Sequence, residues 1–213
     1  MKKVGLLVVL LFLPSLLFAN YLEDLLRVAT VKELQAAHDA GADFTVRFDD
    51  METALMIAAE RNQHPEVIEW LIGLGIDVNA REEDQKTALM MAAEKNRNVE
   101  IIKTLIRLGA DVNAVEEDGE TALMCAAEEN SNPDIIVALL EAGANPDLQD
   151  EDGQTALMIA ADESYNPQII IALINGGADI SLTDYSGRTA YDYALVNPVL
   201  NRNQAIMSLL KKN

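Results

Sequence analysis

Five threonines, Thr53, Thr87, Thr121, Thr155 and Thr189, stand 34 residues apart without a slip, and five glycines, Gly41, Gly75, Gly109, Gly143 and Gly177, keep the same step. Two markers in one register mean that the chain repeats a structural unit, and a unit this short cannot bury its apolar surface alone. Each unit must therefore stack on its neighbours into one continuous core.

A single period shows how. Thr87 opens the run Ala-Leu-Met-Met-Ala-Ala-Glu-Lys, which ends at Lys95, favours helix and is apolar on most faces. It reads as a short, largely buried helix. Asn96 follows, with Asn62 and Asn130 in the same slot and Ser164 as the exception. Asn at a helix end is expected to turn left-handed, a conformation it tolerates better than most residues. A second start signal comes next, Asn132-Pro133-Asp134 and Asn166-Pro167-Gln168, in which Asn caps free N–H groups and Pro takes the first helical position. His64-Pro65-Glu66 is the variant form, with His64 as the expected cap. The second helix carries Ile101, Ile102, Leu105, Ile106 and Leu108 and stops at Gly109; Asp111 to Ala114 and an acidic turn lead to the next Thr. The fold class is all-α, a solenoid of stacked helix pairs with connecting turns.

The runs Thr-Ala-Leu-Met, Ala-Ala, Pro-Glu-Val-Ile or Pro-Asp-Ile-Ile, and Gly-Ala-Asp-Val-Asn-Ala resemble the ankyrin repeat over about residues 21 to 210. The chain departs from the commonest ankyrin form in its 34-residue period, the extra residue falling between the two helices. Ala follows Thr where the family usually has Pro, and Met56, Met90, Met124 and Met158 stand where it usually has His. Met fills the space but should lose the polar bridge that His would supply. The turn glycine is present as Gly119, Gly153 and Gly187 but replaced by Met51 and Gln85, so those two turns are expected to be strained or reshaped.

The resulting organisation is an N-terminal capping repeat over 20–48, repeats over 49–82, 83–116, 117–150 and 151–184, and a C-terminal capping repeat over 185–213. Ahead of these, residues 1–19 read as a signal peptide. Lys2 and Lys3 form a positive start, Val4 to Phe18 is uncharged and almost wholly apolar, and Ala19 offers a small residue for cleavage, although Leu17 is large for its place. Those 15 residues, interrupted by Pro14, fall short of the roughly 20 that span a bilayer as a helix. The expected location is periplasmic or secreted, with no membrane association once the signal is removed.

Composition narrows the function. With 35 acidic against 16 basic residues the formal charge is -19, and loss of Lys2 and Lys3 with the signal leaves 35 against 14, or -21. Such a field repels phosphate backbones, so nucleic acid is not an expected partner. One cysteine and two histidines leave no cluster for a transition metal, and no cofactor is expected. The run from Asp150 to Gly153 resembles part of a calcium loop, but Leu148 and Ala160 stand where ligating carboxylates would be needed. No nucleophile–base set or phosphate loop stands out, and the expectation is a protein that is not an enzyme. Cys125 shares a core slot with Ile57, Met91 and Ile159 and is expected to be an inert, buried thiol. Trp70 lies on an outer helix, where packing of its ring is expected rather than partner binding.

The acidic residues are the feature that a scaffold alone does not require. Glu60, Glu94, Glu128 and Asp162 share one slot at the end of the first helix and should form a column. The turn tips add Asp49, Asp50, Glu83, Asp84, Glu117, Asp118, Glu151 and Asp152; with Glu120 and Glu129 these are the candidate partner-binding residues. The ankyrin resemblance implies that tips and first-helix ends line a concave face where partners bind. The expected function is an exported, monomeric interaction module that presents this acidic face to a protein with basic surface patches, in a protecting, inhibiting or immunity-type role. A polyacidic cation or small-molecule binder is the alternative, and a charge layer that only keeps the protein soluble fits the same residues.

Overall fold

The computed structural model describes residues 15–211, with side chains from Asn20 onward. Most of the expected export signal lies outside the described residues. The first helix, α1 (Ser15–Val28), runs through the expected cleavage point after Ala19 and pairs with α2 (Val31–Asp39). Four regular pairs follow: α3 (Ala54–Arg61) with α4 (Pro65–Gly73), α5 (Ala88–Lys95) with α6 (Val99–Arg107), α7 (Ala122–Glu129) with α8 (Pro133–Glu141), and α9 (Ala156–Glu163) with α10 (Pro167–Asn175). The last pair is α11 (Ala190–Val196) with α12 (Gln204–Leu210), joined through a 3-10 turn at Leu200–Arg202. The described residues contain no β-strand, only isolated bridges at Arg47–Thr53 and Val115–Thr121.

The first helices, α1, α3, α5, α7, α9 and α11, pack in sequence into an inner row, and the second helices pack in sequence into an outer row. Inner helices are buried on nearly every side: Ala54 to Ala59 and Ala122 to Ala127 are each buried without interruption. Small alanines let adjacent inner helices approach, while Leu55, Met56, Leu89, Met90, Leu123 and Met124 fill the space between rows. Outer helices bury one stripe, such as Ile101, Ile102 and Leu105, and turn their charged positions to solvent.

The threonine register is a capping register. Thr53, Thr87 and Thr121 each accept the amide of the Met three residues on, and the Met sulfur accepts the threonine amide in return at 3.3–3.4 Å. The methionines therefore do more than fill space: a weak sulfur acceptor closes the capping box from the side chain. At Met158 the return bond is missing. The outer helices begin as expected, with Asn98, Asn132 and Asn166 capping through their side chains and Pro at the first position of α8 and α10. His64 is a correction: its side chain makes no cap bond, and its amide instead donates to Asn62 Oδ1 at 2.9 Å.

A larger correction concerns the asparagines after the inner helices. Asn62, Asn96 and Asn130 are not left-handed but extended, with φ of -68°, -84° and -87°. They turn inward and are buried. Asn96 Nδ2 donates to the carbonyls of Ala59 and Asn62 at 2.9 Å, and Asn130 Nδ2 donates to those of Ala93 and Asn96 at 2.8 Å. Asn62 ties back to Leu26 and Ala29, and Asn197 to Asp162 and Ser164. Each side chain thus satisfies two carbonyls of the preceding inner helix end, and its own oxygen fixes the next loop by accepting an amide, as Asn96 Oδ1 does from Asn98. A buried carbonyl left unpaired costs about 1–3 kcal/mol, so this ladder sets the register of the stack.

The turns between pairs show the strain expected of Met51 and Gln85, which hold φ of 64° and 68° where the later turns have glycine. Gly153 is needed twice over, for its φ of 79° and because a Cβ there would stand 2.7 Å from the Tyr185 ring.

Replacing Asn96 with Ala removes two donors to buried carbonyls and the acceptor that holds Asn98. Urea unfolding should show a loss of about 2–4 kcal/mol, whereas Asn79→Ala, which removes a ladder bond at an exposed position, should cost less than about 1 kcal/mol.

Candidate acidic groove

Three 34-residue series build one face. The first is a row of acidic side chains at 82, 116, 150 and 184 that folds each turn. Glu82, Glu116, Asp150 and Asp184 are all buried, at 5–8 % exposure. Each accepts the amides two and four residues on: Glu116 Oε1 takes those of Asp118 and Glu120 at 2.8 and 2.9 Å, and Asp150 Oδ1 takes those of Asp152 and Gln154 at 2.9 and 2.7 Å. The turns are then joined through their backbones, Glu83 N to Asp50 O, Glu117 N to Asp84 O, Glu151 N to Asp118 O and Tyr185 N to Asp152 O, all at 2.9–3.1 Å. This row is structural rather than a binding surface. Its periodicity was visible in the sequence as part of the acidic turns, but burial separates it from the exposed tips.

The tips themselves, Asp49, Asp50, Glu83, Asp84, Glu117, Asp118, Glu151 and Asp152, are exposed. The inner-helix ends supply the second series. Glu60 and Glu94 are partly buried, and Glu128, Glu129 and Asp162 are exposed. A cleft of about 460 Å³ brings the two series together at the first two repeats, where Asp50, Glu60, Glu83, Asp84 and Glu94 share its wall with Glu52, Glu82, Met91, Lys86 and Lys95. Glu128 and Glu129 line a separate cleft of about 300 Å³ with Glu163, Ser164 and Tyr165.

The column is less uniformly negative than the sequence slot suggested. Glu94 bridges both Lys86, at 3.4 Å, and Lys95, and Lys95 reaches Glu129 at 3.8 Å. Glu60 pairs with Arg61 at 3.1 Å. Burial works against the charge on Glu94, but the two ammonium groups outweigh it and hold the carboxyl below its usual range. Glu128 and Asp162 make no ion pair among the described residues.

A third series, at the positions just before Thr, comprises Glu52, Lys86, Glu120, Gln154 and Arg188, of which only Glu120 was a candidate from the sequence. It lies between the tips and the inner-helix ends, so its residues feel both. Partial burial, the Glu128 charge and the Glu116 charge raise the Glu120 carboxyl to about 7. Glu52 is raised by burial and by Glu60. Beneath Glu120 lies Cys125, buried, with its Sγ 3.9 Å from a Glu120 oxygen; burial and that neighbouring carboxylate push the thiol up and keep it protonated. Trp70 is packed, edge-on to Phe44 and to His38 with ring centres 5.5 and 6.0 Å away, and its Nε1 donates to Gln35 at 3.0 Å.

Among the described residues no three carboxylate, histidine or cysteine side chains converge to hold a metal ion, and no helix is long and apolar enough to cross a membrane. The arrangement offers a spread of exposed carboxylates on rigid elements, with lysines placed inside it.

The sequence profile described as ankyrin repeats (3 copies) matches residues 25–116, 55–150 and 123–213. The chain belongs to the ankyrin-repeat family. No curated protein matches it significantly. Ankyrin repeats are protein–protein interaction modules, and the family is typically non-enzymatic; the fold supplies a scaffold for recognition, while the site residues decide what is recognised.

Glu120 carries a pH dependence with a definite sign. Its carboxyl holds a proton to about 7 in the folded protein against 4.5 in an unperturbed chain. Between those values the unfolded state binds fewer protons, so stability falls as pH rises, and the full penalty is present above 7. Glu120→Gln should therefore stabilise the protein by about 1 kcal/mol at pH 8, after solvent screening at a half-exposed position, and by close to nothing below pH 4.5 in the same urea titration.

Proposed function

We propose that the protein is an exported interaction module whose acidic groove binds a protein through basic surface patches. The observation that carries this reading is the exposure of the paired tip carboxylates in four successive turns, held in line by the backbone bonds between turns. Solubility needs negative charge but not a rigid row of it. A basic partner gains from that row twice: long-range attraction accelerates encounter, and fixed carboxylates accept charged donors without first being ordered. The lysines within the groove give it pattern, since a uniformly cationic surface would meet Lys86 and Lys95, whereas one with an acidic gap would not. Binding of cations beside Glu120 favours its ionised form, so the module would release a proton as it binds and would bind more tightly at pH 8 than at pH 6.

The reversal that tests this is Glu128→Lys with Asp162→Lys, because both side chains are exposed and make no ion pair among the described residues. Glu66→Lys with Glu141→Lys on the outer row is the matched control; Glu69 is unsuitable there because it bridges Arg107. Against a partner captured from the native compartment, the groove pair should weaken binding tenfold or more, about 1.4 kcal/mol, and the outer pair should not. Equal losses would reduce the acidic face to a solubility device.

Export rests on the Lys2–Lys3 start and the apolar run from Val4 to Phe18. The intact mass of the natively produced protein should correspond to a chain beginning at Asn20. A mass that keeps Met1 to Ala19 would place the protein on a retained anchor instead.

A further inference from the structure

The side-chain ladders that tie each helix pair to the next are interrupted together at one place. The buried asparagine rung is present between α1 and α3, α3 and α5, α5 and α7, and α9 and α11. Between α7 and α9 its position is held by Ser164, whose hydroxyl turns to its own loop at Asn166. The carbonyls of Ala127 and Asn130, counterparts of those that accept elsewhere, receive nothing from it.

Two further ladders stop at the same boundary. Arg47 donates to the carbonyls of Met51 and Arg81, Arg81 to those of Gln85 and Val115, and Gln149 to those of Gly153 and Thr183. Val115, which stands in that series before α7, has no donor to offer the turn before α9. Asn79 donates to Gly109 O and Asn113 to Gly143 O, whereas Asp147, the next member, is an acceptor only and cannot reach Gly177 O in that way.

The surface is hollow on both sides of this boundary. The 300 Å³ cleft at the ends of α7 and α9 is lined by Asn130 and Ser164, and a cleft of about 350 Å³ opens between α8 and α10, lined by Val137, Leu140, Ala172 and Gly176. The apolar core still crosses it, with the backbone bond of Glu151 to Asp118, the Asn166 bond to Ser131 and the Asp179 bond to Asp147.

We propose that the junction between the α7–α8 pair and the α9–α10 pair is a built-in joint, at which α9 to α12 open from the rest of the solenoid as one block. Of these three ladders the α5–α7 boundary keeps every rung and the α9–α11 boundary keeps the buried asparagine and Gln149 rungs, so the opening is set at the one boundary among the described pairs that has lost all three. In a stack where each unit touches only its neighbours, stability is a sum of interface terms, and the weakest interface sets where it parts. The joint crosses the acidic face. It separates Glu94, Glu120 and Glu128 from Asp152 and Asp162, and so lets the two halves of that face change their spacing. The proposal depends on the ladders alone and holds whatever the face binds.

Native-state hydrogen exchange of the full chain tests it. Amides of α9, α10 and α11 should exchange at a common rate about tenfold or more above those of α5, α6 and α7, with the step at residues 130–156. The repaired variant Ser164→Asn, Val115→Arg, Asp147→Asn should remove the step. Added to the repaired variant, Asn130→Ser, which breaks the buried rung one junction earlier, should create a step between α5 and α7 instead. A rate that rises gradually toward the C-terminus, as simple fraying would give, overturns the joint, as does a step that the repaired variant leaves in place.

Discussion

The inner helices have almost no face of their own to show to water, and everything else in the molecule follows from that. The helix Ala122–Glu129, buried throughout from Ala122 to Ala127, is eight residues of marginal helix in isolation. It exists because two neighbours flank it and an outer helix covers it. This makes the fold one-dimensional: each pair is stabilised by its interfaces, and the caps matter because they end the row. Leu22, Leu26 and Leu34 at one end, and Tyr193, Leu200, Ile206 and Leu210 at the other, bury their apolar groups against a single neighbour.

Apolar stacking alone would leave the row free to slide, because one alanine-lined helix face resembles the next. The ladders remove that freedom. A buried amide that must reach two particular carbonyls fixes the register to one position, and the buried carboxylates at 82, 116, 150 and 184 set the shape of each turn by gathering its own amides. Polar groups buried in this protein act as specificity devices rather than as a large net source of stability. Where rungs are missing, the less directional packing carries more of the contact, and that contrast gives the α7–α9 boundary its significance.

The acidic face draws its character from the same scaffold. Because the tips and inner-helix ends repeat at a fixed step, charges placed in equivalent slots come out in rows, and the face carries an array instead of isolated side chains. The series containing Glu52, Lys86, Glu120, Gln154 and Arg188 then varies the sign along the array. The slots that depart from the repeat, as Lys86 does within otherwise acidic surroundings, give the array its pattern.

The sequence by itself determined the period, the regular helix pairs with their ends nearly to the residue, and the family, because 34-residue spacing and apolar periodicity act locally and survive in any neighbourhood. It also exposed the candidate carboxylates, since a shared slot implies a shared face. The tertiary structure decided what each polar slot does. Asn96 looked like a helix terminator and is a buried cross-link, because its partners, Ala59 and Asn62, lie 34 to 37 residues away and no local pattern names them. Glu116 and Glu117 are adjacent acids in one turn, yet one is buried under amides and the other faces water. Glu94 is held ionised between two lysines and Glu120 holds its proton to about 7 although both belong to acidic series, because burial and the distance to Lys86 and Lys95 are set only when the rows have stacked.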